Sequence, residues 1–379
     1  MNGLSVAIIG TRGYPSFYGG FETLVRRLAP YLADDGWDTT VYGRGRTIDA
    51  GTAGGDPRVR SINTWGVESR SLSTLSYGLT SSLHCARSRP DVALLMNVAN
   101  GFWLPFLRAR GIPTLVNVDG IEWERAKWGP AARALFRSGA SATASQADDL
   151  VFDSKALGTR WGQEFGRTGE FIPYGGTFRA RSATPDGLTS RQYVLMVARF
   201  VPENTIDEFL DAAARLSKRW DVVVVGSSGY GGDTEENLRR LANTNERIKW
   251  FGHVSDDDRL FALWENAGAY FHGHSVGGTN PALVQAMACG APTVARDTVF
   301  NREVLEDAGI FVAPTPDAIY EGLSRVMNDP VLQEKLSERS AARAKEAYTW
   351  EGVCRRYSAV LHDLATSGPS STRVRAQMN

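Results

Sequence analysis

Short apolar runs alternate with helix-period segments along almost the whole chain. In the first half the runs are "LSVAIIG", "DTTVYG", "RVRSIN", "DVALLMN", "TLVNVDG" and "DLVFDS", each with the length and apolar content of a buried strand. Amphipathic stretches lie between several of them. In "FETLVRRLAPYLADDG", Leu24, Leu28 and Leu32 recur at helical spacing and Gly36 offers a stop. After about residue 185 the alternation restarts with "QYVLMVARF", "DVVVVGSSG", "RIKWFGHV", "GAYFHGHS", "APTVARD" and "GIFVAP". Repeated strand–helix–strand order predicts parallel sheets covered by helices on both faces. Two such series predict an α/β protein of two doubly wound, Rossmann-like domains.

The segment "RARSATPDGLTSRQ", residues 179–192, is polar and turn-rich and reads as the linker. The expected domains are therefore 1–182 and 190–346, followed by a helix at about 348–367 in "TWEGVCRRYSAVLHDLA". The tail "TSGPSSTRVRAQMN" has the composition of a disordered segment.

A chain of 379 residues can bury two cores. Its 42 basic and 42 acidic residues argue against a dedicated nucleic-acid binder. Residues 1–180 hold 20 basic and 16 acidic residues, leaving 22 and 26 for the remainder, a tilt small enough for ordinary solvated surface. Cys85, Cys289 and Cys354 show no metal-type spacing and suit a reducing compartment. "MNGLSVAIIG" reads as a first strand and not as a signal peptide, and no apolar run approaches the roughly 18 residues of a membrane span. The expected location is the cytoplasm, with at most peripheral contact on the inner face of the cell membrane.

Ligands of open parallel sheets bind beyond the carboxyl ends of the strands, so the glycine-rich loops after strands are where chemistry is sought. "GTRGYPSFYGGFET" lacks the G-x-G-x-x-G spacing, and no acidic residue ends the second strand at "TVYGR", which argues against a nicotinamide site. Gly19 and Gly20 either present backbone N–H groups to a phosphate or sugar, or simply make the strand-to-helix turn. In "HGHSVGGTNPALVQAMACG", Asn280 suits a helix N-cap and Pro281 a first helical turn. A capped helix accounts for those two. It does not account for Gly277 and Gly278 together with His274 and Ser275, whereas an anion approaching the amides of Val276–Thr279 does. Gln285 falls one turn into that helix, where its amide reaches ligand hydroxyls. Arg199, just past the strand "YVLMVA", is placed either to hold a diphosphate in bidentate fashion or to make a surface ion pair. His272 and His274 point the same way on a strand without a third ligand, and no Asp-x-Asp cluster appears in a plausible metal loop, so no metal site is expected.

Taken in order, "GGFETLVRRLAPYLADDGWDTTVY", "FDSKAL", "FIPYGG", "VARFVPEN" and "HGHSVGGTNPALVQAMACGAPTVARDTVFNREVL" resemble glycosyltransferase family 4. "IIGTRGYPSFYGGFET", "HSVGGTNP" and "FNREVL" look like the bacterial rhamnosyltransferase-type branch of surface-polysaccharide assembly. The resemblance covers residues 4 to about 365. It implies the GT-B arrangement of two Rossmann-like domains facing across a cleft, with the C-terminal helix crossing back to the first domain. It also implies a nucleotide-diphosphate sugar donor, transfer with retention, and no metal or other cofactor. Arg199 matches the family's diphosphate-binding arginine, and Gly19 and Gly20 match the loop that closes over the phosphates. Asn204 stands where a partner lysine is usual, Gln285 where a glutamate holds ribose hydroxyls, and Gly277 where an earlier glutamate contacts the sugar. Thr279 and its neighbours would supply backbone contacts to the donor. Asp119 falls near the place of a first-domain histidine that touches the donor sugar.

The acceptor side is less defined. "IEWERAKWGPAARALFRSG" combines Trp123, Trp128 and Phe136 with Arg125, Lys127, Arg133 and Arg137, and "FWLPFLRARG" at 102–111 is similar in character. Such stretches either lie on an anionic membrane surface or turn their aromatics into the core. The expected activity is rhamnosyl transfer from a dTDP-activated donor to a glycan or a polyprenyl-diphosphate-linked acceptor, with Asp119 and Arg199 carrying the chemistry. Two other readings fit the same residues: transfer to a soluble natural-product or aminosugar acceptor, and a degenerate sugar-nucleotide-binding partner protein.

Overall fold

The computed structural model describes residues 3–16, 19–44, 55–68, 73–125, 128–229 and 231–367. They form two compact units. Residues up to Glu124, Trp128–Pro173 and the C-terminal helix from Trp350 make unit 1; Tyr174–Thr349, with Arg125, make unit 2.

Unit 1 is a seven-stranded sheet in the order β3-β2-β1-β4-β5-β6-β7. The strands are β1 (Ser5–Ile9), β2 (Asp38–Arg44), β3 (Arg60–Thr64), β4 (Val92–Met96), β5 (Thr114–Asn117), β6 (Asp149–Phe152) and β7 (Glu170–Phe171). Every pairing is parallel; Val6 lies opposite Thr39 on one side and Val92 on the other. The helices of this unit are α1 (Gly20–Asp34), α2 (Ser73–Ser88), α3 (Leu104–Arg108), α4 (Pro130–Gln146) and α5 (Lys155–Phe165). The predicted stripe on α1 is its buried face, with Leu24, Leu28 and Leu32 sealed from solvent.

Unit 2 repeats the plan in six parallel strands ordered β10-β9-β8-β11-β12-β13. They are β8 (Tyr193–Val197), β9 (Asp221–Val225), β10 (Ile248–Trp250), β11 (Ala269–His272), β12 (Thr293–Arg296) and β13 (Gly309–Val312). Its helices are α6 (Ile206–Leu216), α7 (Asp233–Thr244), α8 (Asp257–Asn266), α9 (Pro281–Ala288), α10 (Val299–Leu305), α11 (Pro316–Met327) and α12 (Pro330–Ala347). Two hydrophobic clusters flank this sheet: Phe209, Phe271 and Leu323 belong to one, Tyr193, Tyr270 and Met287 to the other. A strand buried on both faces must be apolar throughout, which is why "YVLMV" and "DVVVV" read as unbroken runs.

All twelve strands read from the sequence are present; the two-residue β7 is too short to leave a pattern. The domain boundary differs from the expected one. The chain passes from unit 1 to unit 2 at Pro173–Tyr174, and the polar segment 179–192 is fastened to unit 2. Arg179 Nε donates to Glu265 Oε1 (2.9 Å), Ser182 N to Glu265 Oε2 (2.7 Å) and Arg191 N to Asn266 O (2.8 Å). Its polarity serves a strap over that surface and not a linker. The chain re-enters unit 1 as α13 (Trp350–Ser367), where Asn117 Nδ2 donates to Tyr357 Oη (2.6 Å) and Ser358 Oγ to Asp35 Oδ2 (2.5 Å). The C-terminal tail beyond residue 367 lies outside the described residues.

Candidate functional site

In each unit the strand order reverses once: between β1 and β4, and between β8 and β11. Loops leaving the carboxyl ends of strands on either side of such a point diverge and leave a crevice. The residues singled out in the sequence fall on these loops.

In unit 2 the two loops are 198–205 and 273–280. They are locked together by side chains. Asn204, buried, donates from Nδ2 to Arg199 O (2.7 Å) and faces His274 Nδ1 with Oδ1 (2.6 Å). Because the amide nitrogen is spent on a carbonyl, Oδ1 is the acceptor, and His274 carries its proton on Nδ1. Ser275 donates both N and Oγ to Glu203 O, each at 3.0 Å. Thr205 Oγ1 donates to Gly273 O (2.7 Å), a close approach that glycine permits: a Cβ at 273 would stand 2.2 Å from Asn204 O. Asn301, buried near the start of α10, donates to His274 O (2.9 Å) and Arg296 O (2.8 Å). The sequence reading missed Asn301 and Arg296. Their only sequence signal was a polar residue inside "VFNREVL" and a cation ending a strand.

Asn280 caps α9 as expected, accepting from Ala282 N (2.9 Å), with Pro281 in the first turn. Gly277 has φ +90°, a left-handed value that needs glycine. The amides of Val276, Gly277 and Gly278 have no hydrogen-bond partner among the described residues. Thr279 is buried between them and the helix. The Arg199 guanidinium is exposed and makes no hydrogen bond or ion pair among the described residues.

The structure does not present Gln285 to a ligand. Its Oε1 accepts from Thr177 N (2.9 Å) and its Nε2 donates to Thr177 O (3.0 Å), so the amide closes a two-bond clamp on one peptide unit. Glu203 is buried with neither carboxylate oxygen hydrogen-bonded among the described residues.

Both histidines of "HGHS" are held neutral. His272 is buried; Nδ1 meets Tyr270 Oη at 3.0 Å, and Nε2 is sealed without a partner. Burial, with the neighbouring His274, lowers its pKa to about 3. His274 is partly exposed, and its pKa falls to about 3 through desolvation and then the charges of Arg125, Arg199 and Arg296. Among the described residues no group of three His, Cys, Asp or Glu is arranged to hold a metal.

In unit 1 the corresponding edge is formed by the loops after β1, β4 and β5. Gly19 is the N-cap of α1 and Gly20 its first residue. Glu22, buried in that first turn, accepts from Arg12 N (3.2 Å), so a carboxylate already sits at the mouth of α1. Asp119 has φ +62° and Asn97 φ +72°, both left-handed without being glycine. Asn97 Nδ2 donates to Asp119 Oδ2 (3.2 Å), while Asp119 N donates to Asn117 Oδ1 (2.9 Å). In the 121–137 stretch Trp123 is buried edge-on to Phe165, the partly exposed Trp128 and Phe136 lie against each other, and Arg137 pairs with Glu164.

Residues 184–344 match the model for "Glycosyl transferases group 1", and residues 19–175 the model for a "Glycosyl transferase 4-like domain". The chain therefore carries the two domains of the GT-B glycosyltransferase fold. Among its relatives is a phosphatidyl-myo-inositol mannosyltransferase of Mycobacterium leprae, 30% identical over 56% of this chain and 58% of that protein. The chain spans about half the length of the curated relatives it matches. Among solved structures, sucrose-phosphate synthase from Thermosynechococcus elongatus superposes with a TM-score of 0.79 at 18% identity, covering 96% of this chain and all of that one. Anabaena HepE, solved in complex with UDP, gives 0.73 at 16% identity over 95% of this chain and all of its own. No helix of the described residues is long and apolar enough to cross a membrane.

Proposed function

We propose that this protein is a retaining glycosyltransferase that takes a sugar from a nucleotide-diphosphate donor bound at the β8/β11 edge of unit 2. The observation that carries the reading is the combination of an unpaired Arg199 with three unbonded amides ahead of α9. An anion placed there receives charge-assisted hydrogen bonds from donors already fixed in position. Anabaena HepE was solved with UDP, which supports a nucleotide ligand for the fold.

In this reading Arg199 and the Val276–Gly278 amides stabilise the departing diphosphate, whose charge grows as the glycosidic bond to it breaks. Asn204 and Ser275 hold the loop and do not touch the donor. His274, held by Asn204 Oδ1 and by the Val276 backbone, shapes the loop beside the donor. Asp119, its carboxylate oriented by Asn97, is the unit 1 residue suited to hold a sugar hydroxyl. The acceptor hydroxyl attacks on the face from which the diphosphate leaves, and the leaving phosphate takes its proton.

The donor sugar and base rest on the motif resemblance alone, which favours rhamnose and dTDP; a mannosyltransferase among the relatives makes mannose the competing sugar. The acceptor class we favour is a glycan or polyprenyl-diphosphate-linked saccharide of polysaccharide assembly. Calorimetry with dTDP-rhamnose, GDP-mannose, UDP-glucose and the free diphosphates tests the site. One donor should bind selectively and lose affinity in Arg199→Ala; binding indifferent to Arg199 refutes it. The internal commitment of Asn204, Ser275 and Gln285 also favours a second reading, a donor-binding protein without turnover. Donor binding with neither hydrolysis nor transfer would select that reading.

A further inference from the structure

Unit 2 has a second polar cavity at the amino edge of its sheet, opposite the edge proposed for the donor. It measures about 200 Å³. The turns ahead of β8 and β12 border it with Arg191 and Gly290, and α12 borders it with Ser337 and Ala341. Every residue of its wall belongs to unit 2. Three guanidiniums reach it: Arg179 and Arg181 from the strap, and Arg191 from the turn before β8.

The three are not equally compensated. Arg179 is neutralised by Glu265 and Asp258. Glu265 is then spent, because its other oxygen accepts from Ser182 N (2.7 Å). Arg181 and Arg191 make no ion pair among the described residues. Arg191 donates from Nη1 to Ala267 O (2.8 Å) and from Nη2 to Ser337 Oγ (2.8 Å), and that hydroxyl donates to Gly290 O (2.7 Å). These bonds fix the guanidinium and leave Nε–H and one N–H on each terminal nitrogen uncommitted. Arg181 is exposed, with a single 3.3 Å contact to Ser190 Oγ. Burial, and next the charge of Arg181, lower the Arg191 pKa; Glu334, exposed on α12, counters them less.

A cation on the last carbonyls of a helix is ordinary, and Arg191 on Ala267 O, just past α8, fits that role. Arg181 does not. It touches no carbonyl, and it brings a second uncompensated charge to the cavity of the first. Two such charges repel until an anion joins them, and guanidinium forks match the oxygens of a phosphate group. Pockets for drug-sized ligands start at roughly 300 Å³, so the space here suits a small anion and not a nucleotide. We propose that this cavity binds a phosphate-class oxyanion, inorganic phosphate or a small phosphomonoester, between Arg181 and Arg191. Its wall also includes Thr177 and Cys289, the two residues that hold Gln285, with Cys289 Sγ accepting from Gln285 Nε2 at 3.4 Å. Occupancy therefore braces the segment 177–191 against α9 and α12. The inference does not rest on the donor reading, because neither Arg199 nor the Val276–Gly278 amides enter it.

The test is calorimetric titration of the full chain with inorganic phosphate and, separately, with glycerol 3-phosphate, in chloride buffer of matched ionic strength. Both titrations are repeated on Arg199→Ala, so that phosphate taken at the carboxyl edge is counted apart. The Arg199→Ala protein should still bind at least one of the two probes, and which one binds tells the free ion from the monoester. Arg181→Ala in that background should weaken binding by about tenfold or more, the loss expected for one charge-assisted contact. Ala341→Leu fills the cavity and keeps every charge, so it should weaken binding at least as much, whereas diffuse attraction to a basic surface would ignore it. Arg181 is exposed, and its substitution carries the test should Ala341→Leu perturb folding. No binding of either probe to Arg199→Ala, or unchanged affinity in a folded variant, overturns the proposal. Either result leaves the donor site to be judged by nucleotide binding at Arg199.

Discussion

The carboxyl edge of the unit 2 sheet is lined by Arg199, Arg296 and three unbonded amides, whereas that of unit 1 presents Glu22 and Asp119 with Arg12 beside them. The two sheets share parallel pairing and a strand-order reversal at the corresponding place. Topology alone therefore supplies a crevice twice, and the side chains decide what each crevice accepts. In unit 2 most polar side chains are consumed in building the loop, and the ligand is left with one guanidinium and bare backbone. In unit 1 a carboxylate is held out on a left-handed residue, suited to hydroxyls and not to phosphate.

The largest difference should appear in nucleotide affinity. Arg199→Ala removes charge-assisted hydrogen bonds and should weaken the binding of a nucleoside diphosphate by roughly ten- to a hundredfold. Because the side chain is exposed and unpaired, the melting temperature should hardly change. Asp119→Ala, read in the same calorimeter with the free diphosphate, should leave affinity within about threefold, since a carboxylate gives phosphate nothing. Equal losses in the two variants would erase the contrast between the edges.

Next comes Asn204, where the family pattern suggests a phosphate ligand and the structure shows a strut. Asn204→Ala strands His274 Nδ1 and leaves Arg199 O with Val201 N alone, and should cost about 2 kcal/mol in chemical denaturation. Asn204→Lys restores the family residue yet breaks the same two bonds in a buried position. It should lower stability without improving donor affinity. A stable Asn204→Lys protein with tighter binding would return the residue to the ligand side.

A third contrast is in acid. Burial keeps His272 neutral in the folded protein, with a pKa of about 3, while in the unfolded chain it protonates near its ordinary value of 6.5. The stabilisation is thus complete above pH 6.5 and is lost as the pH falls toward 3. The slope that this one group contributes is about 1.4 kcal/mol per pH unit. His272→Phe should flatten the acid limb of unit 2 stability, followed by urea titrations between pH 6 and 4 as an approximate window. Asp119→Asn serves as the unit 1 control and should leave that limb in place. His274, lowered to about 3 as well, adds a second slope of the same sign, which His272→Phe leaves in place.

How much of this was legible in the sequence depends on what each residue does. Twelve strands showed because doubly covered strands must be apolar throughout, and α1 showed because its buried stripe has helical period. Asn280 and Pro281 were placed correctly because N-capping is a local rule. The domain boundary was not legible: a strap that hydrogen-bonds to Glu265 and Asn266 has the same polar, turn-rich composition as a linker. Nor was the orientation of Gln285 and Asn204. Both partners, Thr177 O and His274 Nδ1, are distant in sequence, and an amide engaged internally looks the same in one dimension as an amide offered to a ligand. Asn97 and Asn301 escaped for the same reason.

The smallest effect tests the unit 1 edge itself. Asp119 at φ +62° occupies a conformation that asparagine also tolerates, because its short polar side chain bonds locally. Asp119→Asn should change stability by no more than about 0.5 kcal/mol, a level usual for substitutions without a strain or cavity mechanism. Asp119→Val puts a β-branched side chain into the left-handed region and should cost about 1–3 kcal/mol. If the carboxylate positions a sugar hydroxyl, Asp119→Asn should also reduce transfer through kcat while leaving nucleotide affinity intact. A fall in stability equal to that of Asp119→Val, with no separate kinetic loss, would make Asp119 a fold-holding residue and leave unit 1 without a named contact to the sugar.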